Sequence, residues 1–245
     1  MSHVELRDKL KQLISGLQPP AETWTPQEII EWSFESFGGH VAISSAFGAG
    51  SMVIIDMTAR LRGRDFRLFT VDTQFLFPET YHLMQRVEQK YGVAIERVYA
   101  LQSPAEQERA HGEALWARDP DFCCKLRKVE PLRQKLHELA AWITSIRREE
   151  TASRASAQKI EWDAKFDLIK INPIADWTRK QVWRYIHDHE VPYNPLHDQD
   201  YPSIGCTHCT RPVMPGEDQR AGRWAGFAKR ECGLHVIESG PQERL

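Results

Sequence analysis

The sequence predicts an α/β fold, a mostly parallel sheet flanked by helices, with a mobile C-terminal segment. Three observations carry this. Short apolar runs alternate with helical patterns along most of the 245 residues, the signature of successive βα units. The first unit is joined by a small-residue turn, Phe47-Gly48-Ala49-Gly50-Ser51. Hydrophobic residues make up 41% of the chain, enough for a sizeable core rather than disorder.

The elements follow in order. Residues 4–17 have helical apolar spacing and stop at Gly16 and the Pro19-Pro20 pair. Thr25-Pro26-Gln27-Glu28 opens a second helix, with Thr as cap, Pro in the first turn and Glu three residues on. Val41 to Ala46 reads as a buried strand, and Met52 to Leu61 as the helix after the glycine turn. Phe66 to Val71 is the next strand, ending in Asp72-Thr73. Pro78 opens a helix that closes at Tyr91-Gly92. Ile95 to Tyr99 is a strand and Pro104 opens another helix. Cys123 to Leu139 looks helical despite Pro131. Ala141 to Ile146 is a strand, followed by the arginine-rich loop Arg147 to Thr151. Asp167 to Ile174 is a further strand, and Thr178 to His189 a capped helix. From Pro192 onward Pro, Gly and Asp accumulate, which predicts an extended segment laid over the domain. Three regions result: N-terminal helices (1–37), a nucleotide-binding α/β domain (38–204), and a C-terminal segment (205–245).

Composition excludes several classes. Net charge is -2 without a long basic run, so no nucleic-acid footprint is expected. No apolar run reaches the ~20 residues of a membrane helix. The charged start MSHVELRDKLKQL is not a signal peptide. A cytoplasmic protein, with no membrane and no nucleic-acid partner, is expected. Its five unevenly spaced cysteines suit metal binding or catalysis better than a secreted disulfide framework.

Two stretches point to chemistry. At the C-terminal edge of a parallel sheet, the turn Ser44 to Ser51 could cradle a phosphate. Its glycines admit close backbone approach, its serines donate, and the helix N-terminus is positive. It lacks the Gly-Lys-Ser/Thr ending of a Walker A loop, and close packing of an ordinary βα turn explains it equally well. Asp72 could reach a nucleoside from the next strand end, or simply cap a turn.

The cysteines form the second stretch. Cys206 and Cys209 are a CxxC pair, Cys123 and Cys124 are adjacent, and Cys232 stands alone in Glu-Cys-Gly-Leu-His. Two pairs supply the four thiolates of a zinc or iron–sulfur site. Adjacent helical residues point ~100° apart, which suits the corners of a 4Fe–4S cluster better than one zinc ion. A redox disulfide or plain core cysteines are the alternatives. Cys232 lies among Arg211, Arg220, Arg223, Lys229, Arg230 and His235. Cations lower a thiol's pKa and favour the thiolate nucleophile, and the same arginines could hold phosphate or sulfate. An incidental cysteine among solvated charges is the plainer alternative.

Together these pieces resemble the assimilatory sulfonucleotide reductases of the adenylyl sulfate type. The match rests on Cys123-Cys124 with Lys128, Ile146-Arg147-Arg148, Cys206-Thr-His-Cys209, Pro215 to Trp224, and Glu231-Cys232-Gly-Leu-His235. It spans roughly residues 38 to 236. The resemblance implies a fold of the adenine nucleotide alpha-hydrolase type, related to PP-loop ATP pyrophosphatases. It implies a 4Fe–4S cluster on Cys123, Cys124, Cys206 and Cys209. It implies reduction of adenosine 5'-phosphosulfate to sulfite and AMP, through an S-sulfocysteine on Cys232 resolved by thioredoxin or glutaredoxin. Ser45, Gly48 and Ser51 are then expected at the phosphate and Asp72 near the nucleoside. Lys128, Arg148, Arg220, Arg223 and His235 are expected as the anion clamp, with Arg147 or Arg154 able to replace Arg148. Gly50 departs from related PP-loop enzymes, which often carry an acidic residue there; a reductase that leaves AMP intact does not need it. The 3'-phosphorylated sulfonucleotide is an alternative substrate, and a PP-loop tRNA-thiolating enzyme a more distant reading. A homo-oligomer is compatible with all of these.

Overall fold

The computed structural model describes residues 10–12, 14–17 and 20–235. Residues 10–12 and 14–17 are helical; the start of the helix expected over 4–17 lies outside the described residues. Thr25 caps α1 (Pro26–Phe37) with a complete capping box shared with Glu28. There follow β1 (Val41–Ser44), α2 (Ala49–Arg62), β2 (Leu68–Asp72), α3 (Pro78–Tyr91) and β3 (Ile95–Tyr99). Next come α4 (Pro104–His111), α5 (Leu115–Arg118), α6 (Pro120–Cys124), α7 (Glu130–Leu136), β4 (Ala141–Ile143), β5 (Ile160–Asp163), β6 (Leu168–Ile171) and α8 (Arg179–Asp188).

The six strands form one sheet in the order β3-β2-β1-β4-β6-β5. All neighbours are parallel except β5, which pairs antiparallel with β6. The mostly parallel sheet expected from the sequence is therefore present. Edge strand β5 was not foreseen: it is four residues of mixed polarity beside a short turn. The strand expected over Ile95 to Tyr99 is observed with those bounds; β1 and β4 are shorter than expected, because Ser45, Ala46, Thr144 and Ser145 turn out of the ladder to line the site described below.

Alternation along the strands feeds two cores. Val41 and Ile43 point into one with α1, α2, α3 and α8. Ala42 and Trp142 point into the other, beside Leu132 and Leu136 of α7. Leu234, from the C-terminal segment, packs against this second core. The segment after Pro192 is indeed extended, with short 3-10 turns at Pro195–Gln199 and Thr207–Cys209.

The helix expected over Cys123 to Leu139 is broken into three parts. Between α6 and α7, Lys125–Val129 is a π turn in which the Glu130 N–H donates to the Lys125 carbonyl. Pro131 is the cause. It has no N–H for the Arg127 carbonyl and its ring would collide with that group, so the helix widens there. The widened turn carries Arg127 inward to full burial and sets Lys128 against the cavity.

Candidate active site

Strand order reverses between β1 and β4, and ligands of such sheets bind at the carboxyl ends of the strands flanking that point. A cavity of about 150 Å³ lies there. Its floor is Ser45 and Ser51 after β1, Thr73 after β2, and Thr144 and Ser145 after β4. Its far side is Lys128, Gly205 and Arg223, and its roof is Leu234 and His235 of the C-terminal segment.

The turn after β1 is built for close approach. Ser45 Oγ accepts from Phe47 N at 3.0 Å, and Ser51 Oγ meets Ser145 Oγ at 2.9 Å. Phe47 is buried in the left-handed region with φ 56°, a strain that folded surroundings must hold. Gly48 is the N-cap of α2, with an ordinary φ of -74°. A Cβ there would meet open space, so no packing contact explains the glycine. Gly50 differs: a Cβ would sit 3.3 Å from Ser145 Cβ, so a side chain there would require its neighbours to give by a few tenths of an ångström.

The four paired cysteines come together from two elements. Cys123 and Cys124 end α6, and Cys206 and Cys209 bracket a 3-10 turn. The Cys206 segment is pinned under the site by the Thr207 N–H donating to the Phe75 carbonyl at 2.8 Å, and Thr73 Oγ1 lies 3.3 Å from Cys206 Sγ. Burial, then Cys124, Cys206 and Cys209, push the Cys123 thiol up to about 12. Burial and Cys206 push Cys209 up to about 11. Among the described residues no group of three or more His, Cys, Asp or Glu is arranged to hold a single metal ion. Beneath these thiols lies Arg127, 1% exposed. It donates to the carbonyls of Thr73 and Gln102 and to the side chains of Gln74 and Gln107, all neutral acceptors. No carboxylate bonds this guanidinium; burial works against its charge, and Cys123, Cys206 and Asp72 favour it from a distance.

Cys232 behaves differently. Its half-buried thiol is disfavoured as an anion by desolvation, but Lys128, the Leu234 N–H and Arg223 outweigh this and bring it below the ordinary cysteine value. Lys128 responds in turn: burial works against its charge, but Cys206, Cys124 and Cys232 hold it above the usual lysine range. The segment carrying Cys232 is docked. Lys165 Nζ donates to the Gly233 carbonyl at 2.5 Å, and the His235 ring stacks on Trp142 at 5.5 Å. Desolvation, reinforced by Lys170, Arg154, Arg220 and Lys165, lowers the His235 imidazole well below the usual histidine range, so it is neutral at pH 7. Arg220 Nε, Arg223 Nε and His235 Nδ1 are buried without partners. Unsatisfied buried polar atoms are rare, and two of these three residues, Arg223 and His235, line the cavity.

Residues 40–212 match the family model of the phosphoadenosine phosphosulfate reductase domain. The chain belongs to this family. It is 42% identical to an adenosine 5'-phosphosulfate reductase of Shouchella clausii, over 87% of this chain and 88% of that protein. It is 44% identical to a phosphoadenosine 5'-phosphosulfate reductase of Gloeobacter violaceus, over 88% of this chain and 90% of that one. Among solved structures, the phosphate complex of phosphoadenylyl-sulfate reductase from Candida auris superposes with a TM-score of 0.70 at 32% identity, covering 81% of this chain and 96% of that chain.

In this reductase, five of the residues singled out in the sequence for the substrate line the cavity, and four do not. Ser45, Ser51, Lys128, Arg223 and His235 line it directly. Gly48 caps the adjoining helix. Asp72 turns away: its carboxylate accepts from Gln74 N at 2.8 Å and Tyr81 OH at 2.7 Å, the turn-capping alternative, and Thr73 lines the cavity instead. Arg148 also points elsewhere, to Glu22 at 2.5 Å and the Ala157 carbonyl at 2.7 Å. Arg220 is engaged by Glu231 at 3.1 Å and the Arg230 carbonyl at 2.9 Å. Trp142, Ser145 and Arg127 carried no sequence signal of a site role; a tryptophan inside a strand and an arginine on a helix have ordinary structural uses.

Proposed function

We propose that the chain reduces adenosine 5'-phosphosulfate to sulfite and AMP. The observation that supports this most is Cys232. Its surroundings favour the thiolate, and it is docked beside Lys128 and Arg223 at a switch-point cavity. In this reading the nucleotide phosphate meets Ser45, Ser51 and the backbone at Gly48, and Arg223 and Lys128 face the sulfate end. Cys232 thiolate attacks the substrate sulfur. A sulfur–sulfur bond forms, the sulfur–oxygen bond to the phosphate breaks, and AMP leaves with that electron pair. A thiolate of a thioredoxin-type dithiol then attacks the Cys232 sulfur. Sulfite leaves with the electron pair, and the dithiol's second thiol closes a disulfide and returns Cys232 as a thiol.

Cys123, Cys124, Cys206 and Cys209 would hold a 4Fe–4S cluster. Four thiols at one place fit that donor set, and the buried cation Arg127 fits an anionic group above it. When bound, the cluster would supply negative charge that orients Lys128 toward the substrate. The two electrons come from the dithiol.

The test is sulfite release from both sulfonucleotides, with and without thioredoxin. The expected result is sulfite from adenosine 5'-phosphosulfate only when thioredoxin is added. Without it, one AMP per site appears, with the mass of SO3 on the peptide carrying Cys232. Preference for the 3'-phosphorylated substrate would overturn the substrate assignment, and an adduct on another cysteine would overturn the mechanism.

A further inference from the structure

The C-terminal segment is tied down by charges that the reaction above does not use. The Glu231 carboxylate receives two bonds from one guanidinium, Arg154 Nε at 3.0 Å and Arg154 Nη2 at 2.8 Å. Arg220 Nη2 adds a third at 3.1 Å, and Thr151 Oγ1 a fourth at 3.3 Å. Both side chains of the Arg154–Glu231 pair are only 10% exposed. Arg154 is itself anchored from behind, by Glu150 at 2.5 Å, which also meets Arg147 at 3.4 Å. The chain of alternating charges thus runs from the loop after β4 to the residue before Cys232.

We propose that Glu231 and Arg154 form a latch that holds the C-terminal segment closed over the cavity, making both of them positioning residues for Cys232. The proposal rests on the reading of Cys232 as nucleophile. Two-pronged arginine–carboxylate pairing fixes orientation as well as distance. Glu231 immediately precedes Cys232, so fixing one carboxylate fixes the thiol beside Lys128 and Arg223. The closed segment also explains the size of the cavity. About 150 Å³ is below the roughly 300–1,000 Å³ of ordinary small-molecule sites, so a nucleotide enters only after Leu234 and His235 lift. An external dithiol needs the same opening to reach Cys232. Lifting separates Glu231 from Arg154, and the latch therefore sets how often the site opens. The Lys165 contact and the Trp142 stack remain when it is broken, so its loss loosens the segment without undoing the fold.

The test is alkylation of Cys232 by iodoacetamide, followed by peptide mass, in the full-length protein purified without oxygen and without nucleotide. Glu231→Gln and Arg154→Gln should each speed alkylation about tenfold, the loss of one charge-assisted contact. The pair separates a latch from a simple field effect. Removing the anion alone favours the thiolate, and removing the cation alone disfavours it, so a field effect speeds the first variant and slows the second. A latch speeds both. The double variant should react no faster than either single one. Arg154→Gln alkylating at or below the wild-type rate, or effects that multiply in the double variant, would overturn the latch. Should Arg154→Gln fail to fold, Arg154→Lys keeps the charge but loses the two-pronged contact and carries the same expectation. No sulfonucleotide enters this measurement. Failure of the sulfite assay would remove the proposed chemistry and leave the alkylation result standing.

Discussion

Gly205 offers a way to move Arg223 without touching its charge. The Arg223 guanidinium lies over the Trp224 ring, 4.4 Å from that ring's centroid, and close to the Gly205 backbone. A Cβ on Gly205 would fall 2.2 Å from Arg223 Nη2 and 2.6 Å from Cζ. Ordinary contact begins at 3.4 Å, so Gly205→Ala forces the guanidinium back by about 1.2 Å. The Trp224 ring at 4.4 Å limits the room for a retreat. The guanidinium must swing, and it then loses its long bonds to Ser203 Oγ at 3.2 Å and the Ile204 carbonyl at 3.4 Å. The moving group is the end of a flexible side chain, so the cost in stability is small, on the order of 1 kcal/mol. Binding is another matter. A guanidinium displaced by over 1 Å no longer donates well to an anion placed for its native position, and one lost charge-assisted contact is worth ~1.5–3 kcal/mol. The expected outcome is a melting temperature within a few degrees of wild type and a roughly ten- to hundredfold weaker affinity for the sulfonucleotide, read by calorimetric titration. Affinity within twofold of wild type would mean that Arg223 does not face the bound anion. A collapse in melting temperature would mean that Gly205 is needed for packing alone.

Three other outcomes follow from the charges around the segment. Lys128→Met removes the chief cation beside the Cys232 thiol, so the pH midpoint of Cys232 alkylation should move upward; an unmoved or lower midpoint would show that Lys128 does not stabilise this thiolate. His235 has a lower pKa docked than free, so the lifted segment binds more protons: docking is complete above pH about 6.5 and weakens as pH falls from there toward the lowered docked value. Amide protection of residues 231–235, corrected for intrinsic exchange, should fall over that range in wild type but not in His235→Gln. Replacing any of Cys123, Cys124, Cys206 or Cys209 with Ser should abolish bound iron and acid-labile sulfide, whereas Cys232→Ser should keep both; zinc without sulfide in protein purified without oxygen would sink the cluster.

What could be read from the sequence, and what could not, divides by the range of the interaction. Thr25 and Thr178 cap their helices with residues three positions away, and Pro78 and Gly92 bound a helix through their own backbone geometry. Such signals are complete within a short window. The CxxC turn is likewise local, and an adjacent cysteine pair is visible in any reading. The arginines are not of this kind. Arg147, Arg148 and Arg154 share one loop, and nothing in their spacing says which faces the site. Arg148 is taken by Glu22, 126 residues away in the chain, and Arg154 by Glu231, 77 residues away. Asp72 and Thr73 show the same limit at its smallest scale. They are neighbours at the end of one strand, and successive side chains point to opposite sides. Either could have faced the nucleotide. The choice falls to Tyr81, nine residues on, whose hydroxyl takes the Asp72 carboxylate and leaves the threonine to the cavity. Pro131 is the instructive intermediate. The residue is plain in the sequence, and its conflict with the Arg127 carbonyl follows from covalent geometry alone. Whether the helix would kink, stop or widen depends on what packs around it. It widened, and the register it took buries Arg127 under the cysteines and sets Lys128 beside Cys232. A proline that does not line the cavity therefore decides where Arg127 and Lys128 stand.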